Sequence, residues 1–328
     1  MKFRERLTLG MTRSFASRLV QSSTLRSLIV VPFWALRFFF FAVKERSLPF
    51  LRFYPGYHGS TIPSGSFLRS NRDRLFASAT AAKDGVDLGQ EAQAALLDEF
   101  IQYYPTFNPP ELPAIGNLYH YSNSMFGFSD AFILYSILRK FKPAGVIEVG
   151  SGHSSALMLD VAKEHLPSTS FTFIDPYSET IQQVLAQRPE GTYRLIREQI
   201  QDVDPAMVAE LNAGDILFID TSHAVKIASD LSTIFFSLLP ALKKGVLVHI
   251  HDIAFPWEYS EEMVMSGRTY NEIYFVRTFL QFNDSFEILY FNSQMEFLHK
   301  KDIERRMPGY FKSSGHKDGQ SLWLRKVR

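Results

Sequence analysis

Short apolar segments alternate with segments of helical spacing through the second half of the chain. Five apolar segments are predicted as buried strands, over residues 145–149, 171–175, 193–197, 215–220 and 245–251. The segments between them are predicted as helices, over residues 154–165, 179–187, 205–211 and 226–242. Strands that are apolar on both faces and are connected by helices form parallel sheets with helices packed on both sides. The pattern therefore predicts an α/β fold with a Rossmann-like, doubly wound sheet and helices on both faces.

Three further segments follow the fifth strand. They are predicted as a helix over residues 269–282 and as two strands, over residues 286–292 and 321–325, with no helix between the two strands. Two strands joined without a crossover helix pair antiparallel. The complete prediction is a seven-stranded sheet that ends in an antiparallel pair.

The first predicted strand ends in an acid and two closely spaced glycines, Glu148, Gly150 and Gly152, immediately before a helix. Glycine can adopt positive φ and lets a ligand approach the main chain closely, and the free N–H groups of the first helical turn attract polar or anionic groups. Glu148 lies inside an apolar strand, so we expect it to be paired or hydrogen-bonded, near the ligand. Replacing Gly150 with valine is expected to abolish ligand binding and to leave the fold largely intact.

This turn by itself does not identify one ligand. A dinucleotide-binding turn has a third small residue, usually glycine, three positions after the second, and here that position is Ser155. The serine weakens the case for a nicotinamide cofactor without removing it. A tight strand-to-helix turn in some other α/β protein is the remaining alternative.

Polar residues follow the carboxyl ends of the other predicted strands. Because ligands bind at this edge of a parallel sheet, these residues are the candidates for a site. Asp175 ends the second strand, 23 residues after Gly152, a separation at which an acid can accept hydrogen bonds from ribose hydroxyls. It could instead be a solvated acid that opens a turn. The fourth strand ends in Asp220, and the fifth ends in His251 and Asp252.

Four segments of the chain resemble one bacterial family of class I S-adenosylmethionine-dependent methyltransferases, methyltransferase family 24. They are residues 148–155 (EVGSGHSS), 217–223 (LFIDTSH), 245–253 (GVLVHIHDI) and 321–326 (SLWLRK). The resemblance covers residues 118–326, and the Asp-x-Ser-His and His-Asp-Ile segments are more specific than the glycine turn. It implies the methyltransferase fold and S-adenosylmethionine as cofactor, but no particular methyl acceptor.

The resemblance also implies positions for the cofactor and the acceptor. The methionine part of the cofactor is expected near Glu148, Gly150, Ser151 and Gly152, the ribose near Asp175, and the adenine beside residues 199–202. The pocket for the methyl acceptor is expected to be bordered by Asp220, Ser222, His223, His251 and Asp252, of which Asp220 also contacts the cofactor. The family usually has glutamate where this chain has Asp175, a shorter acid.

His223 is the candidate general base. If the acceptor is a hydroxyl, its proton must be removed, and an imidazole that titrates near neutrality in a short polar turn suits that role. The alternative is that His223 caps the following helix or is hydrogen-bonded to Asp252 as scaffold. His249 lies on the same strand face as His251 by the two-residue period, and its deeper position predicts a core histidine.

A divalent metal is a further possibility. Asp220 and Asp252 could together hold a cation, as in catechol-type methyltransferases, where the metal lowers the pKa of the acceptor hydroxyl. Two carboxylates are too few for the near-octahedral oxygen ligation of Mg²⁺, and added histidines favour a softer metal. The alternative is that the two acids hold Ser222, His223 or the acceptor by hydrogen bonds.

The composition excludes several classes of protein. The 35 Lys and Arg residues balance 34 Asp and Glu residues, which leaves no overall basic field for nucleic acid. The absence of cysteine excludes disulfides, thiolate catalysis and cysteine-ligated metals. It is compatible with a reducing compartment, and a cytoplasmic protein is expected.

The first 46 residues have a different character. Residues 1–27 contain six Lys and Arg residues and one acid, and residues 28–43 are almost wholly apolar. That run of 16 residues is short for a membrane-spanning helix, which needs about 20. A basic segment followed by aromatic residues favours peripheral contact with an anionic membrane surface, at its inner face. Packing on the catalytic domain or on a second subunit, and a role as an organellar targeting segment, are the alternatives.

We therefore predict three regions: residues 1–46 as this N-terminal segment, residues 47–117 as a connector and cap, and residues 118–328 as the methyltransferase domain. Residues 87–103 have helical spacing and are expected to cap the acceptor side, and residues 119–130 are expected to line the acceptor pocket. The predicted activity is methyl transfer to oxygen or nitrogen of a small-molecule or glycan-like acceptor. An NAD(P)-dependent oxidoreductase and a non-catalytic, membrane-associated binding protein are the alternatives.

Overall fold

The computed structural model describes residues 31–44, 53, 55–76, 85–187, 193–311 and 319–328. The chain divides into two compact units, Met1–Arg72 and Asp73–Arg328. The basic stretch of residues 1–27 lies outside the described residues, as do the first three residues of the apolar run that follows it.

The described part of the first unit contains the helices α1 (Val31–Lys44) and α2 (Gly65–Ser70). Helix α1 is apolar except for Arg37 and Lys44. Several of its large apolar side chains are exposed: Phe33, Leu36, Phe39, Phe40 and Val43. Within the residues that the structure describes, no helix has the length and apolar character needed to cross a membrane. A short helix, α3 (Arg72–Leu75), follows α2.

The second unit is built on a seven-stranded sheet. Its strands β1 to β7 are, in chain order, Gly145–Val149, Ser170–Ile174, Tyr193–Ile196, Ile216–Ile219, Leu247–Ile250, Phe286–Phe291 and Leu322–Lys326. They lie side by side in the order β3-β2-β1-β4-β5-β7-β6. Strands β1 to β5 pair in parallel, and β7 pairs antiparallel with both β5 and β6. The predicted Rossmann-like sheet with an antiparallel end is confirmed.

Helices cover both faces of this sheet. Up to β5 they are α4 (Gln90–Ile101), α5 (Phe128–Phe141), α6 (His153–His165), α7 (Glu179–Ala186), α8 (Ala206–Ala209), α9 (Asp230–Thr233) with its π-helical continuation Ile234–Leu238, and α10 (Leu239–Ala241). After β5 come α11 (Glu261–Met265), α12 (Glu272–Gln281) and α13 (Asn292–Arg306). Apolar side chains of α5, α6 and α7 pack on one face, and those of α8, α9 and α12 pack on the other. The sheet is therefore doubly wound, as predicted.

Helix α13 joins β6 to β7, where the sequence predicted no helix. Its buried residues are mostly polar: Asn292, Ser293, Gln294 and Glu296 are buried together with Met295 and Ile303. A kink at His299, with φ −116°, interrupts it. A helix that buries mostly polar side chains lacks the apolar period of 3.6 residues by which helices are recognised. The prediction that no helix lies between the last two strands is wrong for this reason.

The helix predicted over residues 226–242 begins later, at Asp230. It is capped by Ser229, whose hydroxyl oxygen accepts a hydrogen bond from the N–H of Ser232 at 3.2 Å. The N–H and the hydroxyl of Ser222 both donate to the Asp230 carboxylate, at 2.9 and 2.7 Å. Ser222 was expected to border the acceptor pocket, but its hydrogen bonds go to the first turn of α9. Residues 220–229 therefore form a loop at the carboxyl edge of the sheet.

Helix α4 confirms the helical spacing within residues 87–103. It packs against β6 and α13. The Oε1 atom of its buried Gln93 accepts a hydrogen bond from the N–H of Phe291 at 2.6 Å, and its Nε2 donates to Gln294 at 2.9 Å. Strand β6 is the edge strand, separated from β5 by β7. Helix α4 therefore packs beside the edge strand of the sheet, and its role as a cap of the acceptor side stays a prediction.

Candidate active site

The turn between β1 and α6 requires glycine at only one of its two glycine positions. Gly150 has φ +81°, and a Cβ atom on it would lie 1.7 Å from the main-chain oxygen of Asp220. Gly152 has φ 175°, which is extended backbone, and a Cβ atom on it would meet no atom within 4 Å. Gly150 is therefore needed for packing against the chain after β4, while Gly152 adjoins open space. The expectation that Gly150 can be enlarged without harm to the fold is wrong.

Glu148 lies beneath this turn and is fully buried. Its two carboxylate oxygens accept hydrogen bonds from the hydroxyls of Ser154 and Ser155, in the first turn of α6. The hydroxyl oxygen of Ser155 also accepts a hydrogen bond from the N–H of Gly152 at 2.9 Å. Ser155, which stands in place of a third glycine, thus ties Glu148 to the turn. Glu148 is hydrogen-bonded, as expected.

The surroundings of Glu148 favour the protonated form of its carboxyl group. Burial raises its pKa to about 8; the hydrogen bonds from Ser154 and Ser155 oppose this shift, and the charges of Asp220 and Asp175 add to it. A cationic ligand at the turn would favour the carboxylate form. Binding of such a ligand would therefore be coupled to release of a proton.

Asp175 closes the turn from the side of β2. Its Oδ2 accepts hydrogen bonds from the N–H and the hydroxyl of Ser151, at 3.2 and 2.8 Å, and its Oδ1 accepts one from the N–H of Tyr177 at 2.7 Å. A carboxylate has about four acceptor positions, so capacity remains for a ligand hydroxyl. The ring of Tyr177 is 86% exposed. The structure thus brings two of the predicted cofactor residues, Ser151 and Asp175, into contact.

The loop after β3, where the adenine is expected, contacts the loop after β4. Its residues Ile200–Asp202 form a 3₁₀ turn. The Nε2 atom of Gln201 donates a hydrogen bond to the carbonyl oxygen of Ala228 at 3.0 Å. The predicted adenine loop and the predicted acceptor loop are therefore neighbours.

Four ionisable side chains meet at the carboxyl ends of β4 and β5: Asp220, His223, Asp252 and Glu272, which together form the His223 cluster. The Nε2 atom of His223 lies 3.4 Å from Oδ1 of Asp220 and 3.4 Å from Oδ2 of Asp252. Its Nδ1 atom lies 2.8 Å from Oε2 of Glu272. The structure thus brings together three of the predicted acceptor residues. The cluster also contains Glu272, which was not predicted from the sequence.

The two aspartates are the exposed members of the His223 cluster. The side chain of Asp220 is 33% exposed and that of Asp252 is 19% exposed, whereas His223 is 9% and Glu272 1% exposed. The imidazole is therefore shielded more than the aspartates beside it. His223 and Asp252 have φ 54° and 57°, in the left-handed region that residues other than glycine rarely adopt. Such backbone conformations concentrate at functional sites.

The charges of the cluster favour a protonated imidazole. Burial alone would lower the pKa of His223, but its hydrogen bonds to Asp220 and Glu272 and their charges raise it well above the usual value. Burial would raise the pKa of Asp220, but the charge of His251 and the hydrogen bond from His223 lower it to about 2. Burial raises the pKa of Glu272, and its hydrogen bond with His223 opposes this. We place the shared proton on His223, because three carboxylates surround its ring. A protonated imidazole cannot accept a proton, and the role of His223 as general base stays a prediction.

His249 and His251 lie on the same face of β5, as the strand period predicts. Their ring centroids are 5.6 Å apart. His249 is fully buried, and its ring stacks on Phe218 with the centroids 3.7 Å apart. It is the core histidine that was predicted. Burial would lower the pKa of His251, but nearby acids, led by Asp220, raise it above the usual value.

Residues 119–127 form a loop before α5 that is held by its own side chains, and residues 128–130 begin that helix. The Tyr119 hydroxyl donates to the carbonyl oxygen of Phe126 at 2.9 Å, and Oδ1 of Asn123 accepts from the N–H of Phe126 at 2.6 Å. These bonds fix Phe126, whose ring centroid lies 5.3 Å from that of His251. Buried Asp130 accepts hydrogen bonds from the main chain just before β7. Phe126 thus places this loop beside His251. The polar side chains of Tyr119, Asn123 and Asp130 stabilise the fold.

Within the described ranges, no group of three or more His, Cys, Asp or Glu side chains is arranged to hold a metal ion. The His223 cluster has three carboxylates, but the imidazole lies among them. A metal at this site therefore stays a prediction.

Two sequence comparisons bear on the family. Residues 147–253 match the family described as “Methyltransferase domain”, methyltransferase family 24. A protein of Archaeoglobus fulgidus described as uncharacterised is 30% identical over 159 residues, which are 46% of this chain and 70% of that protein.

Solved structures of methyltransferases are similar to this chain at lower sequence identity. The O-methyltransferase TomG from Streptomyces achromogenes, in complex with SAM, is 11% identical with a TM-score of 0.39, over 71% of this chain and 90% of that one. The SAH-bound methyltransferase PaMTH1 of Podospora anserina is 11% identical with a TM-score of 0.40, over 82% of this chain and 100% of that one. At such identities and TM-scores, no ligand or acceptor is carried over from these proteins.

Proposed function

The chain belongs to the class I S-adenosylmethionine-dependent methyltransferases, and we propose that it transfers a methyl group from this cofactor to oxygen or nitrogen of a small-molecule or glycan-like acceptor. The observation that carries the proposal is the close approach of Gly150 to Asp220, which joins the glycine turn to the His223 cluster. It brings the glycine turn beside the main chain of Asp220, whose partly exposed side chain belongs to the His223 cluster. Methyl transfer needs donor and acceptor held side by side.

We place the methionine part of the cofactor at the glycine turn. A side chain at Gly152 would fill the open space there, and the first turn of α6 offers N–H groups to a carboxylate. Glu148 contacts the turn through its hydrogen bonds with Ser154 and Ser155. The negative charge of its ionised form would balance the positive charge of the cofactor's ammonium group. The ribose hydroxyls would bind Asp175, and the adenine would lie beside residues 199–202.

Bound S-adenosylmethionine supplies a methyl group on a sulfonium centre, and the residues of this chain supply alignment, exclusion of water and control of the acceptor proton. Asp220 and Asp252 are the partly exposed acids of the His223 cluster, so they accept hydrogen bonds from the O–H or N–H of the acceptor. Their charge disfavours an acceptor whose attacking group is already anionic. The ring of Phe126, packed beside His251, excludes water from part of the site.

Ligand binding by the purified chain tests this proposal. We expect calorimetry to show binding of S-adenosylmethionine and S-adenosylhomocysteine, and no binding of NAD. Binding of NAD in their place would support the oxidoreductase alternative. Transfer of a labelled methyl group to a panel of hydroxyl and amine acceptors then tests turnover. Cofactor binding without transfer to any member of the panel would favour the non-catalytic binding protein.

We also propose that residues 1–46 make peripheral contact with a membrane, at its cytoplasmic face. The observation that favours this is the exposure of apolar side chains on α1, where Leu36 is 70% and Phe39 57% exposed. Such side chains favour insertion at a membrane interface, and the basic residues of 1–27 would be attracted to anionic lipids.

A further inference from the structure

The loop after β4 is clasped by the start of α12, which lies outside the matched residues 147–253. The N–H groups of Asn271 and Glu272 lie 3.1 and 3.4 Å from the carbonyl oxygen of His223. The side chain of Asn271 accepts from the N–H of Val225 at 2.7 Å and donates to its carbonyl oxygen at 3.1 Å. The ring of Tyr270 lies 4.9 Å from the imidazole of His223. The main chain and the ring of His223 are thus both fixed to α12.

Glu272 completes this clasp with a buried acid. Its side chain is 1% exposed, its Oε2 accepts the hydrogen bond from Nδ1 of His223 at 2.8 Å, and its Oε1 has no hydrogen-bond partner. A buried carboxylate oxygen without a partner is costly. An apolar side chain would fill the same place without that cost. The acid therefore points to a requirement for a negative charge beside His223.

The surroundings of His223 require its charged form. If the ring were neutral and donated its proton to Glu272, the lone pair on Nε2 would face the carboxylates of Asp220 and Asp252, each 3.4 Å away. That arrangement is repulsive, whereas an imidazolium donates from both nitrogens. His251, which directly follows β5, is the other histidine beside the cluster, and its Nε2 atom lies 4.0 Å from Oδ1 of Asp252.

We propose that Glu272 is a positioning residue of the acceptor site, which keeps His223 as an imidazolium that holds the carboxylates of Asp220 and Asp252 side by side. This rests on the proposed methyl-transfer function and assigns part of the acceptor site to a residue beyond the matched domain. Two carboxylates at this spacing repel each other, and the cation between them removes that repulsion. The acceptor O–H or N–H then donates a hydrogen bond to an aspartate. When the acceptor atom bonds to the methyl carbon, the bond from that carbon to the sulfonium sulfur breaks and its electron pair stays on the sulfur, while the acceptor proton passes to the aspartate carboxylate and not to His223.

The test is Glu272→Gln, which keeps the shape of the side chain and removes its charge. The matched control is Glu262→Gln, which removes an exposed acid from the first turn of α11. In the wild type without cofactor, NMR should show that the His223 ring titrates well above the usual value of about 6.5. In Glu272→Gln the midpoint should fall by about one unit or more. The control should titrate like the wild type.

Turnover should follow the charge of His223. We expect Glu272→Gln to lower kcat by about tenfold or more, the effect typical of partners that orient a functional imidazole, with the affinity for S-adenosylhomocysteine unchanged. The alkaline limb of the kcat profile should move to lower pH, because the active form contains the imidazolium. Movement of the acidic limb to lower pH would instead identify His223 as a general base and overturn the proposal. Glu272→Asp, which keeps the charge, should retain more activity than Glu272→Gln; equal loss in both overturns the role of the charge.

The NMR titration needs no cofactor, so it separates this proposal from the proposed function. A wild-type His223 that titrates at the ordinary histidine value overturns the role of Glu272, even if Glu272→Gln fails to fold and even if the chain binds cofactor. If the wild type does not bind S-adenosylhomocysteine but the charge of its His223 depends on Glu272, the proposed function is overturned. The coupling between the charges of Glu272 and His223 would still hold.

Discussion

The main-chain oxygen of Asp220 occupies the place that a side chain on Gly150 would need. A Cβ atom on Gly150 would lie 1.7 Å from that oxygen and 2.8 Å from the carbonyl carbon. The two residues follow the neighbouring strands β1 and β4, so the glycine allows the ends of these strands to converge. The sequence suggested that Gly150 lets a ligand approach the main chain. In the structure, Gly150 instead lets two parts of the main chain approach each other.

Gly152 is the glycine whose substitution should affect cofactor binding alone. We expect Gly152→Val to bind S-adenosylhomocysteine about tenfold more weakly, a loss of about 1.4 kcal/mol, because the side chain fills the space beside the turn. Gly150→Ala should instead lower the free energy of unfolding by about 4 kcal/mol or more, because the main chain must move. Calorimetry and thermal unfolding of both variants measure these effects. Wild-type affinity in Gly152→Val would contradict the placement of the cofactor.

The pH dependence of stability should report on Glu148. Its pKa of about 8 in the folded chain lies above the ordinary value of 4.5, so the folded state binds the extra proton between these values. The free energy of unfolding therefore falls as the pH rises through this range. Glu148→Gln is neutral at every pH and should become more stable relative to the wild type as the pH rises. Thermal unfolding across the range measures the difference, and a gap that stays constant with pH would show that Glu148 is not protonated.

Asp252 should matter for turnover and not for cofactor affinity. We expect Asp252→Asn to lower kcat by about a hundredfold, because the acceptor loses an acidic hydrogen-bond partner. Asp284→Asn, a change at an acid that is 73% exposed, is the control and should be fully active. Exhaustive chelation should leave the wild type active if Asp252 acts through hydrogen bonds. A loss on chelation that Mg²⁺ or Mn²⁺ restores would show that Asp252 acts through a cation.

Membrane contact should depend on the exposed side chains of α1. We expect the full chain to cosediment with vesicles containing anionic lipid and a chain lacking residues 1–46 to remain in solution, while both bind S-adenosylhomocysteine. The paired change Leu36→Glu and Phe39→Glu should weaken vesicle binding, because two charges enter the apolar surface. The pair Leu36→Met and Phe39→Leu is the control. A truncated chain that fails to fold, or vesicle binding that survives the glutamates, would disprove the membrane proposal.

The strands and their polar ends could be predicted from the sequence for one physical reason. A strand buried on both faces must be apolar throughout, so its pattern is visible without knowledge of its neighbours. Strand β1 was predicted with both of its bounds, Gly145–Val149. Asp220 and Asp252 stand out because each follows such a strand, and parallel strands bring these ends to one edge.

Helix α13 and Glu272 could not be found in this way. Helix α13 buries polar side chains whose partners come from elsewhere in the chain, such as the N–H of Gly319, which donates to Glu296 at 2.7 Å. Glu272 lies in the first turn of a predicted helix, where an acid is favoured by the helix dipole whatever its role. Its contact with His223 spans 49 positions, and nothing local in the sequence marks it.

Strand β7 lies between β5 and β6, although it follows both in the sequence. While the chain is being synthesised, β1 to β5 can pair as they emerge, but β6 has no neighbouring strand until residues Leu322–Lys326 arrive. Until then, β5 and β6 each present an open edge that another nascent chain could pair with. Pairing between residues so far apart in sequence is slow, which prolongs this exposure. We therefore expect crowded synthesis to favour aggregation through these two edges.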